Sequence, residues 1–259
     1  MRSLTTPPRT AARYGPILAA ALCTCFASSA QTTLVVNDND YITYNTDTLL
    51  NDLTAAGIVF DVYDVAASGG VPPDVATLNA YDDVIWYCST DGVGLGFWDA
   101  AAQVSIADRI LNGRRTWIIG QDLLYAEYGA APIAFSTGDV PTDFMGVASY
   151  DVQSYGDDGN VGCPGMVVDP GVAGAFLPGF TWIFPTLWWV DGCTPTADAD
   201  PIYAMGPAPY ALEGAVSMIH FHPAGMNVMS TFFDPALIAT YAERVAFLQQ
   251  TLAYMASFP

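Results

Sequence analysis

The chain has 259 residues and carries 26 acidic residues against 7 arginines and no lysine, which gives a formal net charge of −19 at pH 7. A surface this acidic repels nucleic-acid phosphates and anionic lipid headgroups, so the composition argues against nucleic-acid binding and against peripheral membrane attachment. No stretch after residue 30 has the roughly 20 consecutive apolar residues of a transmembrane helix, so we expect no membrane insertion.

The first 30 residues are predicted to be an export signal. Arginines precede an apolar run at 17–26, and the small residues Ser28-Ser29-Ala30 follow it. Cleavage after Ala30 leaves residues 31–259, which are enough for one large domain. We therefore expect a single-domain protein that is secreted or periplasmic.

Predicted strands alternate with predicted helices over the first half of the chain. Short apolar runs typical of buried parallel strands lie at 34–36, 59–65, 84–88 and 116–119. The helix after the first run is capped by Thr46 or Asp47 and ends at Gly57. Further helices begin at Asp74 and Asp99. This alternation predicts right-handed crossovers, and therefore a three-layer α/β fold with a mostly parallel sheet and helices on both faces.

The regular alternation stops between residues 129 and 210, where prolines, glycines and aromatic residues dominate. Because strand patterns at 215–221 and 227–232 resume it, we interpret the segment as an irregular, β-rich aromatic insertion in the same domain. The chain closes on a predicted helix that Asp234 caps, with Pro235 in its first turn.

The insertion contains Trp182, Trp188 and Trp189. Aromatic side chains in such a segment form either a small core or a flat platform on which sugar rings stack. On the second interpretation the partner is a glycan, and an extracellular or cell-surface protein is the alternative partner.

Three cysteines follow the predicted signal. Cys163 and Cys193 both lie in glycine- and proline-rich sequence, and in an oxidising compartment we expect them to form a disulfide. Cys88 ends an apolar strand pattern and is predicted to be a buried free thiol.

Polar residues follow two of the predicted strands: Asp38 and Asp40 after the first, and Gln121 and Asp122 after the fourth. The carboxyl ends of parallel strands form the edge at which open α/β sheets bind ligands. If these side chains converge, they bind Ca²⁺ or act as acid and base; otherwise they cap helices and solvate the edge. We expect no cofactor. If the protein binds an ion, Ca²⁺ or Zn²⁺ is the expected one.

Three segments resemble a known family: Leu34-Val35-Val36-Asn37-Asp38, Tyr81-Asp82-Asp83-Val84-Ile85-Trp86 and Gly113-Arg114-Arg115-Thr116-Trp117-Ile118-Ile119-Gly120-Gln121-Asp122. They are similar to the class I glutamine amidotransferase-like (flavodoxin-like) domains that occur as accessory modules of secreted bacterial proteins. The resemblance covers about residues 33–150 and 213–256. It implies the same three-layer fold.

Amidotransferases of this family present a cysteine after strand four and a histidine in a Phe-His-Pro-Glu motif. Here Gln121 stands in place of the cysteine, and Phe221-His222-Pro223 is followed by Ala224 instead of glutamate. A carboxamide does not attack an amide carbonyl, so the resemblance implies no amidotransfer. Our leading hypothesis is therefore a non-catalytic module that acts in binding or structural association outside the cytoplasm.

The alternative hypothesis is a hydrolase built from the two histidines. His220 and His222 are two residues apart in a predicted strand, so both point to one face. With Asp122 or Asp38 they would form an active site, with or without a metal such as Zn²⁺. The other interpretation places one histidine in the core and the other at the strand exit.

Overall fold

The computed structural model describes residues 32–39, 43–89 and 96–258, so the predicted export signal and Asp40 lie outside the described residues. The described strands are β1 (Thr33–Asn37), β2 (Phe60–Asp64), β3 (Asp83–Tyr87), β4 (Arg115–Ile119), β5 (Ile133–Ala134), β6 (Val147–Gln153), β7 (Gly165–Val168), β8 (Gly179–Thr181), β9 (Asp191–Pro195), β10 (Ala199–Met205), β11 (Val216–Phe221) and β12 (Val228–Thr231). The described helices are α1 (Thr43–Ala55), α2 (Val75–Asn79), α3 (Ala100–Leu111), α4 (Leu123–Tyr128), α5 (Val140–Met145) and α6 (Tyr241–Ala256). No helix of this described part is long and apolar enough to cross a membrane.

The described strands form one sheet, in the order β2-β1-β3-β4-β12-β11-β10-β7-β8, while β9 joins β11 to β6 and β6 pairs with β5. Pairing is parallel among β2, β1, β3, β4 and β12. It is antiparallel in the rest of the sheet, where the connections are too short for crossover helices. The fold is mixed α/β, and parallel pairing is confined to five strands. The segment 129–210 is β-rich, and its strands extend the main sheet.

Two apolar clusters cover the two faces of the sheet. Successive strand residues point to opposite faces, so Trp117 joins one cluster and Ile118 the other. The first cluster receives α1 and α6, for example through Leu53 and Phe247. The second receives α2 and α3, for example through Ile106. Burying each large apolar side chain contributes about 1.5–3 kcal/mol, and this fixes the sheet between the helices.

The first helix starts earlier than its sequence suggests. Helix α1 already includes Thr43, so Thr46 and Asp47 lie inside it and do not cap it. The Thr46 hydroxyl is used elsewhere: it donates to Asn37 Oδ1 at 3.1 Å and accepts from Asn39 Nδ2 at 3.0 Å. Thr46 therefore ties the helix to the carboxyl end of β1.

The closing helix is divided in two. Asp234 caps a 3₁₀ turn at Pro235–Leu237, and α6 begins only after Thr240. The Thr240 hydroxyl accepts from Glu243 N at 3.2 Å, and the Glu243 carboxylate lies 2.6 Å from the same hydroxyl. Because this local cap stabilises a helix start after Thr240, α6 begins there and is not continuous with the turn at Pro235.

The predicted disulfide is absent. Cys88, Cys163 and Cys193 are all buried, and none of them forms a disulfide. Cys163 belongs to the first apolar cluster and Cys193 to the second, so the sheet lies between the two thiols. Each thiol instead contacts a backbone carbonyl, at 3.0 Å from Gly165 O and 3.3 Å from Val216 O. Cys88 is buried and outside any disulfide, as predicted, and its Sγ lies 4.0 Å from Asp38 Oδ2.

Arg109 closes the amino edge of the parallel strands. Its guanidinium is fully buried, donates to the carbonyl oxygens of four residues and bonds Thr116 Oγ1. The four are Leu78, Tyr81, Asp82 and Arg115, in the segments that lead into β3 and β4. Burial lowers the pKa of Arg109 to about 10, so the side chain remains charged at neutral pH. One cation thus satisfies a set of carbonyls that the packed loops would otherwise leave unpaired.

Candidate ligand-binding site

Asp38 anchors the loop above the carboxyl edge of the sheet. Its buried carboxylate accepts from Trp86 Nε1 at 2.9 Å, from Gly96 N at 3.0 Å and from Phe97 N at 2.6 Å. A Cβ atom at Gly96 would lie 2.8 Å from Asp38 Oδ1, so this approach requires glycine. The carboxylate is held by backbone and indole donors, as a structural anchor would be.

Asp234 is a second buried carboxylate at this edge. It is fully buried and accepts from Asn45 Nδ2 and Ser89 Oγ, both at 2.8 Å, from Tyr87 Oη at 3.0 Å and from Ala236 N at 2.9 Å. Burial raises the pKa of Asp234, although the hydrogen bonds from these donors act in the opposite direction. The side chain joins α1, the end of β3 and the 3₁₀ turn, so the sequence-predicted helix cap is the centre of a network.

A cavity of about 690 Å³ opens beside Gln121, which follows β4, and Asn45, which lies in α1. We call it the aromatic cavity, because its wall includes Tyr44, Phe184, Trp188 and Trp189. Phe184 is 54% exposed and each of the two tryptophans is 44% exposed. The aromatic segment of the sequence therefore divides: Trp182 is buried in the core, while Trp188 and Trp189 face the cavity.

Gln121 supplies an unsatisfied acceptor to the aromatic cavity. The side chain is only 2% exposed, and its Nε2 donates to Trp188 O at 2.6 Å. Its Oε1 is buried without a hydrogen-bond partner. A buried carbonyl oxygen left unpaired costs about 1–3 kcal/mol. A ligand hydroxyl or N–H in the cavity would recover that cost.

The Trp188–Trp189 segment is held in a strained conformation. Trp189 has φ = 58°, in the left-handed region that bulky residues rarely adopt. Its N–H donates to Ser154 O at 3.2 Å, and its carbonyl accepts from Asp122 N at 2.9 Å. Such conformations cost about 1–3 kcal/mol and persist where surrounding contacts enforce them, often at ligand sites.

Gly162 lets the Trp188 ring pack closely. A Cβ atom at this position would lie 2.5 Å from Trp188 Cδ1, and Gly162 itself has φ = 90°. On its other side, the Trp188 ring packs against Tyr155, with centroids 4.4 Å apart. The indole is therefore fixed between a glycine and a tyrosine.

Asp122 belongs to a second polar cluster, beside the aromatic cavity. Gln153 Nε2 donates to Asp122 Oδ1 at 2.5 Å and to Asp191 Oδ1 at 3.1 Å, so one amide joins two carboxylates. Asp191 is fully buried and also accepts from Leu124 N at 2.8 Å, at the start of α4. Burial, and next the charge of Asp122, raise the pKa of Asp191 to about 7.

A second cavity, of about 350 Å³, opens onto this cluster. We call it the acidic cavity; its wall includes Asp122, Tyr125, Tyr150, Tyr155, Asp157 and Trp189. Tyr150 is fully buried, and burial, together with the nearby Asp191 carboxylate, raises the pKa of its phenol. Trp189 lines both cavities, so they are neighbours.

The two histidines lie at the opposite edge of the sheet. Strand β11 runs antiparallel to β12, so Phe221 pairs with Val228 at the start of β12. Val228 in turn pairs with Thr116, near the start of β4. His222 thus leaves the sheet at the amino edge, while Asp122 and Asp38 lie beyond the carboxyl edge, at least about 10 Å away along the strands. The expectation that His220, His222, Asp122 and Asp38 share an edge is wrong.

Each histidine has a local role at that amino edge. His220 is buried, its Nε2 lies 3.0 Å from Asn227 Oδ1, and burial lowers its pKa to about 4. His222 Nε2 lies 2.9 Å from Asp200 Oδ2. The two rings stack with centroids 4.8 Å apart. The placement matches the interpretation of one core histidine and one histidine at the strand exit.

No group of three histidine, cysteine, aspartate or glutamate side chains in 32–39, 43–89 and 96–258 is arranged to hold a metal ion. Of the residues proposed for a ligand edge, the structure places Gln121 and Asp122 beside cavities and Asp38 in a buried network. Sequence reasoning missed Gln153, Asp191 and Tyr150, since nothing in their spacing marks them. The one nearby feature of the sequence is Trp188-Trp189, which directly precedes Val190 and Asp191.

Comparison with known proteins identifies a shared fold. No family model matches the chain, and no curated protein matches it. Among solved structures, the chain is similar to the N-terminal domain of mmIFT52, with 9% identity, a TM-score of 0.57, and coverage of 88% of this chain and 98% of that one.

Two larger proteins contain a similar unit. One is a β-galactosidase from Bacillus circulans sp. alkalophilus, with 11% identity and a TM-score of 0.55, which covers 88% of this chain and 31% of that one. The other is the carbohydrate deacetylase Agd3, with 16% identity and a TM-score of 0.54, which covers 85% and 32%. The chain spans about a third of the length of each. At these identities the likeness shows the fold alone.

Proposed function

We propose that the protein is a non-catalytic, amidotransferase-like binding module that acts outside the cytoplasm and holds a glycan in the aromatic cavity. The observation that carries the proposal is the unpaired Gln121 carbonyl inside a wall of exposed aromatic rings. Sugar rings offer both matching groups: apolar C–H faces that stack on indoles, and hydroxyls that donate to a buried acceptor.

The position of the cavity supports the proposal. Open α/β sheets bind ligands at the carboxyl ends of their parallel strands, where Gln121 lies. The volume of about 690 Å³ falls within the range of small-molecule sites. Two of the larger proteins that share the fold carry names that refer to carbohydrate, a β-galactosidase and a carbohydrate deacetylase. In both, the similar unit is only a part of the chain.

The chemistry at the edge supports a binding role over catalysis. By the resemblance drawn from the sequence, Gln121 stands where amidotransferases present their cysteine, and its side chain has no nucleophilic atom. Asp38 and Asp234 each accept from at least four donors. The hydrolase hypothesis based on His220 and His222 lacks comparable support, because strand polarity separates the histidines from these carboxylates.

Titration of the purified protein with soluble oligosaccharides tests the proposal, with tryptophan fluorescence and calorimetry as readouts. We expect saturable binding that Trp188→Ala weakens about tenfold or more, because a lost stacking contact is worth about 1 kcal/mol beyond its buried area. Phe184→Ala should have a smaller effect in the same direction. Tyr241→Ala, which removes an exposed ring from α6 outside the cavity, is the matched control. Equal binding by the Trp188 variant and the control would refute the proposal.

A further inference from the structure

We propose that the ligand is a neutral oligosaccharide chain that runs from the aromatic cavity into an adjoining cleft. This inference rests on the proposed function, since it names the class of glycan that the same site takes. The cleft has a volume of about 300 Å³, and we call it the proline cleft. Its wall includes Val161, Pro164, Pro207, Ala208, Pro209 and Tyr210.

The aromatic cavity and the proline cleft meet along one ridge. Thr186 lines both of them, and its hydroxyl donates to Val161 O at 2.9 Å. Next to this contact, Cys163 and Leu187 exchange two backbone hydrogen bonds, both of 2.7 Å. The boundary between the two cavities is therefore a hydrogen-bonded pair of chain segments. A ligand that fills the aromatic cavity reaches the proline cleft by crossing Thr186.

The proline cleft is held in shape by a carboxylate behind its wall. Asp158 is buried, and it accepts from Val161 N at 2.9 Å, from Gly162 N at 2.8 Å and from Tyr210 Oη at 2.7 Å. These three donors come from two sides of the cleft. Gly162 also gives room to the Trp188 ring of the aromatic cavity. The two cavities are therefore preformed together, which lowers the entropic cost of binding a ligand across both.

Charged side chains are absent from the described walls of both cavities. This is unusual in a chain with 26 acidic residues. A uronate, sulfate or ammonium substituent would lose water here without gaining an ion partner, which is costly. The unpaired Gln121 Oε1 accepts from a hydroxyl and repels an anion. The walls therefore favour a ligand without charge.

Exposed apolar side chains line the path from one cavity to the other. Val161, Ile183, Phe184 and Trp188 are each between 44% and 56% exposed. Contiguous exposed apolar surface of this kind marks an interaction site. The C–H faces of sugar rings pack on such a surface while their hydroxyls stay in water. Because the aromatic cavity alone has the size of a small-molecule site, a ligand that also fills the cleft has more than one sugar unit.

Calorimetric titration of the whole protein tests the dependence on chain length. The probes are neutral β-1,4-linked oligomers of glucose, mannose and N-acetylglucosamine, each as a disaccharide and as a hexasaccharide. We expect the hexasaccharide of the sugar that binds to bind at least about tenfold more tightly than its disaccharide, because the cleft adds contacts to a ligand that the aromatic cavity already holds.

A second titration tests the preference for a neutral ligand. It compares the glucose hexasaccharide with β-1,4-linked hexamers of glucuronate and of glucosamine in 1 M salt. At this ionic strength the net charge of the protein is screened beyond about 3 Å, so only charges inside the site matter. We expect both charged hexamers to bind more weakly than the neutral one.

Blocking the proline cleft separates its contribution from that of the aromatic cavity. Ala208→Phe places a ring in the cleft from an exposed position. It should abolish the gain from chain length and leave the affinity for the disaccharide unchanged. Ala101→Phe, at an exposed position on α3 outside both cavities, is the matched control and should retain the gain. Because the readout is a ratio of two affinities of one protein, partial unfolding does not imitate it.

Equal affinities for disaccharide and hexasaccharide, or a gain that survives Ala208→Phe, would overturn the inference and leave the proposed function intact. The cleft would then serve another occupant, such as an apolar polypeptide segment. Tighter binding of a charged hexamer in 1 M salt would also overturn it. If no oligosaccharide binds at any length, the proposed function itself fails, and the inference fails with it.

Discussion

The two edges of the parallel sheet are stabilised by opposite charges. At the carboxyl edge, loops and helix starts present N–H groups, and Asp38, Asp234 and Asp191 accept from them. At the amino edge, the segments leading into the strands present carbonyls, and Arg109 donates to four of them. The difference follows from chain direction, because free N–H groups lie at helix starts and free C=O groups at helix ends.

The edges also differ in what they leave unsatisfied. The carboxyl edge keeps the Gln121 side-chain carbonyl without a partner beside the aromatic cavity. At the amino edge, Asn79 Oδ1 and His220 Nδ1 are unpaired, but neither residue lines the aromatic or the acidic cavity, and the His220 ring is packed against His222, Tyr254 and Phe258. Under the proposed function, ligand binding belongs to the carboxyl edge and the amino edge is structural. The four predictions below test this division, from the largest expected effect to the smallest.

Removing the cation of the amino edge should have the largest effect. Arg109→Met leaves four buried carbonyls and one hydroxyl without their donor, so we expect the free energy of unfolding to fall by about 3–5 kcal/mol. Urea denaturation measures the change. Arg114→Met is the control, since the neighbouring exposed arginine should change stability by less than about 0.5 kcal/mol. Similar losses in both variants would contradict the role assigned to Arg109.

Changing the central carboxylate of the carboxyl edge should have the next largest effect. Asp234→Asn places an amide N–H₂ among four donors, and we expect a loss of about 2–4 kcal/mol in urea denaturation. Asp169→Asn, at a partly exposed loop position, controls for the change of charge. A variant as stable as this control would show that the network does not hold the edge together.

The carboxylate pair predicts a dependence of stability on pH. The pKa of Asp191 is raised from 3.8 to about 7 in the folded protein, so folding favours its protonated form. The stabilisation that this shift gives the folded state is fully present below pH 3.8 and is lost as pH rises through 7. Because Asp122 is part of the cause, Asp122→Asn should stabilise the protein by about 1 kcal/mol at pH 8 and by little at pH 5. Urea denaturation at both pH values, with Glu127→Gln as control, measures this; equal behaviour of the two variants would contradict it.

The histidine at the amino edge should matter least. His222 and Asp200 form a partly exposed pair, and such pairs contribute about 0–1 kcal/mol. His222→Ala should therefore reduce stability by less than about 1 kcal/mol and leave ligand affinity unchanged. Fluorescence titration beside the wild-type protein checks this. A loss of ligand binding in this variant would show that the amino edge also contributes to the site. It would contradict the division between a binding edge and a structural edge.

Sequence reasoning located the parallel strands well, because buried strands are short apolar runs and each ends in polar residues. It also placed helix starts at Asp74 and Asp99, and in the structure both side chains cap these helices by accepting from first-turn N–H groups. The direction of β11 was not predictable in the same way. The alternation around His220 is identical for a strand that runs either way, and only its pairing with β12 decides which edge receives the histidines.

The candidate site was predictable only in part. Gln121 and Asp122 follow a strand end, so topology placed them at the correct edge. Asp191 comes from a distant part of the chain, and its contact with Gln153 depends on the pairing of β6 with β9. Long-range pairing of this kind leaves no local pattern. The disulfide prediction failed for a related reason, since shared composition does not place two cysteines on one face of the sheet.

The left-handed Trp189 has a consequence for the rate of ligand binding. The segment is fixed in the unliganded protein by backbone contacts to Asp122 and Ser154, and Trp188 is fixed by Gly162 and Tyr155. The rings are therefore already ordered before a ligand binds. The entropy lost by fixing them opposes folding and does not oppose ligand binding. Stopped-flow traces should accordingly show a single phase whose observed rate rises linearly with ligand concentration. Differences in affinity among ligands should appear in dissociation rates.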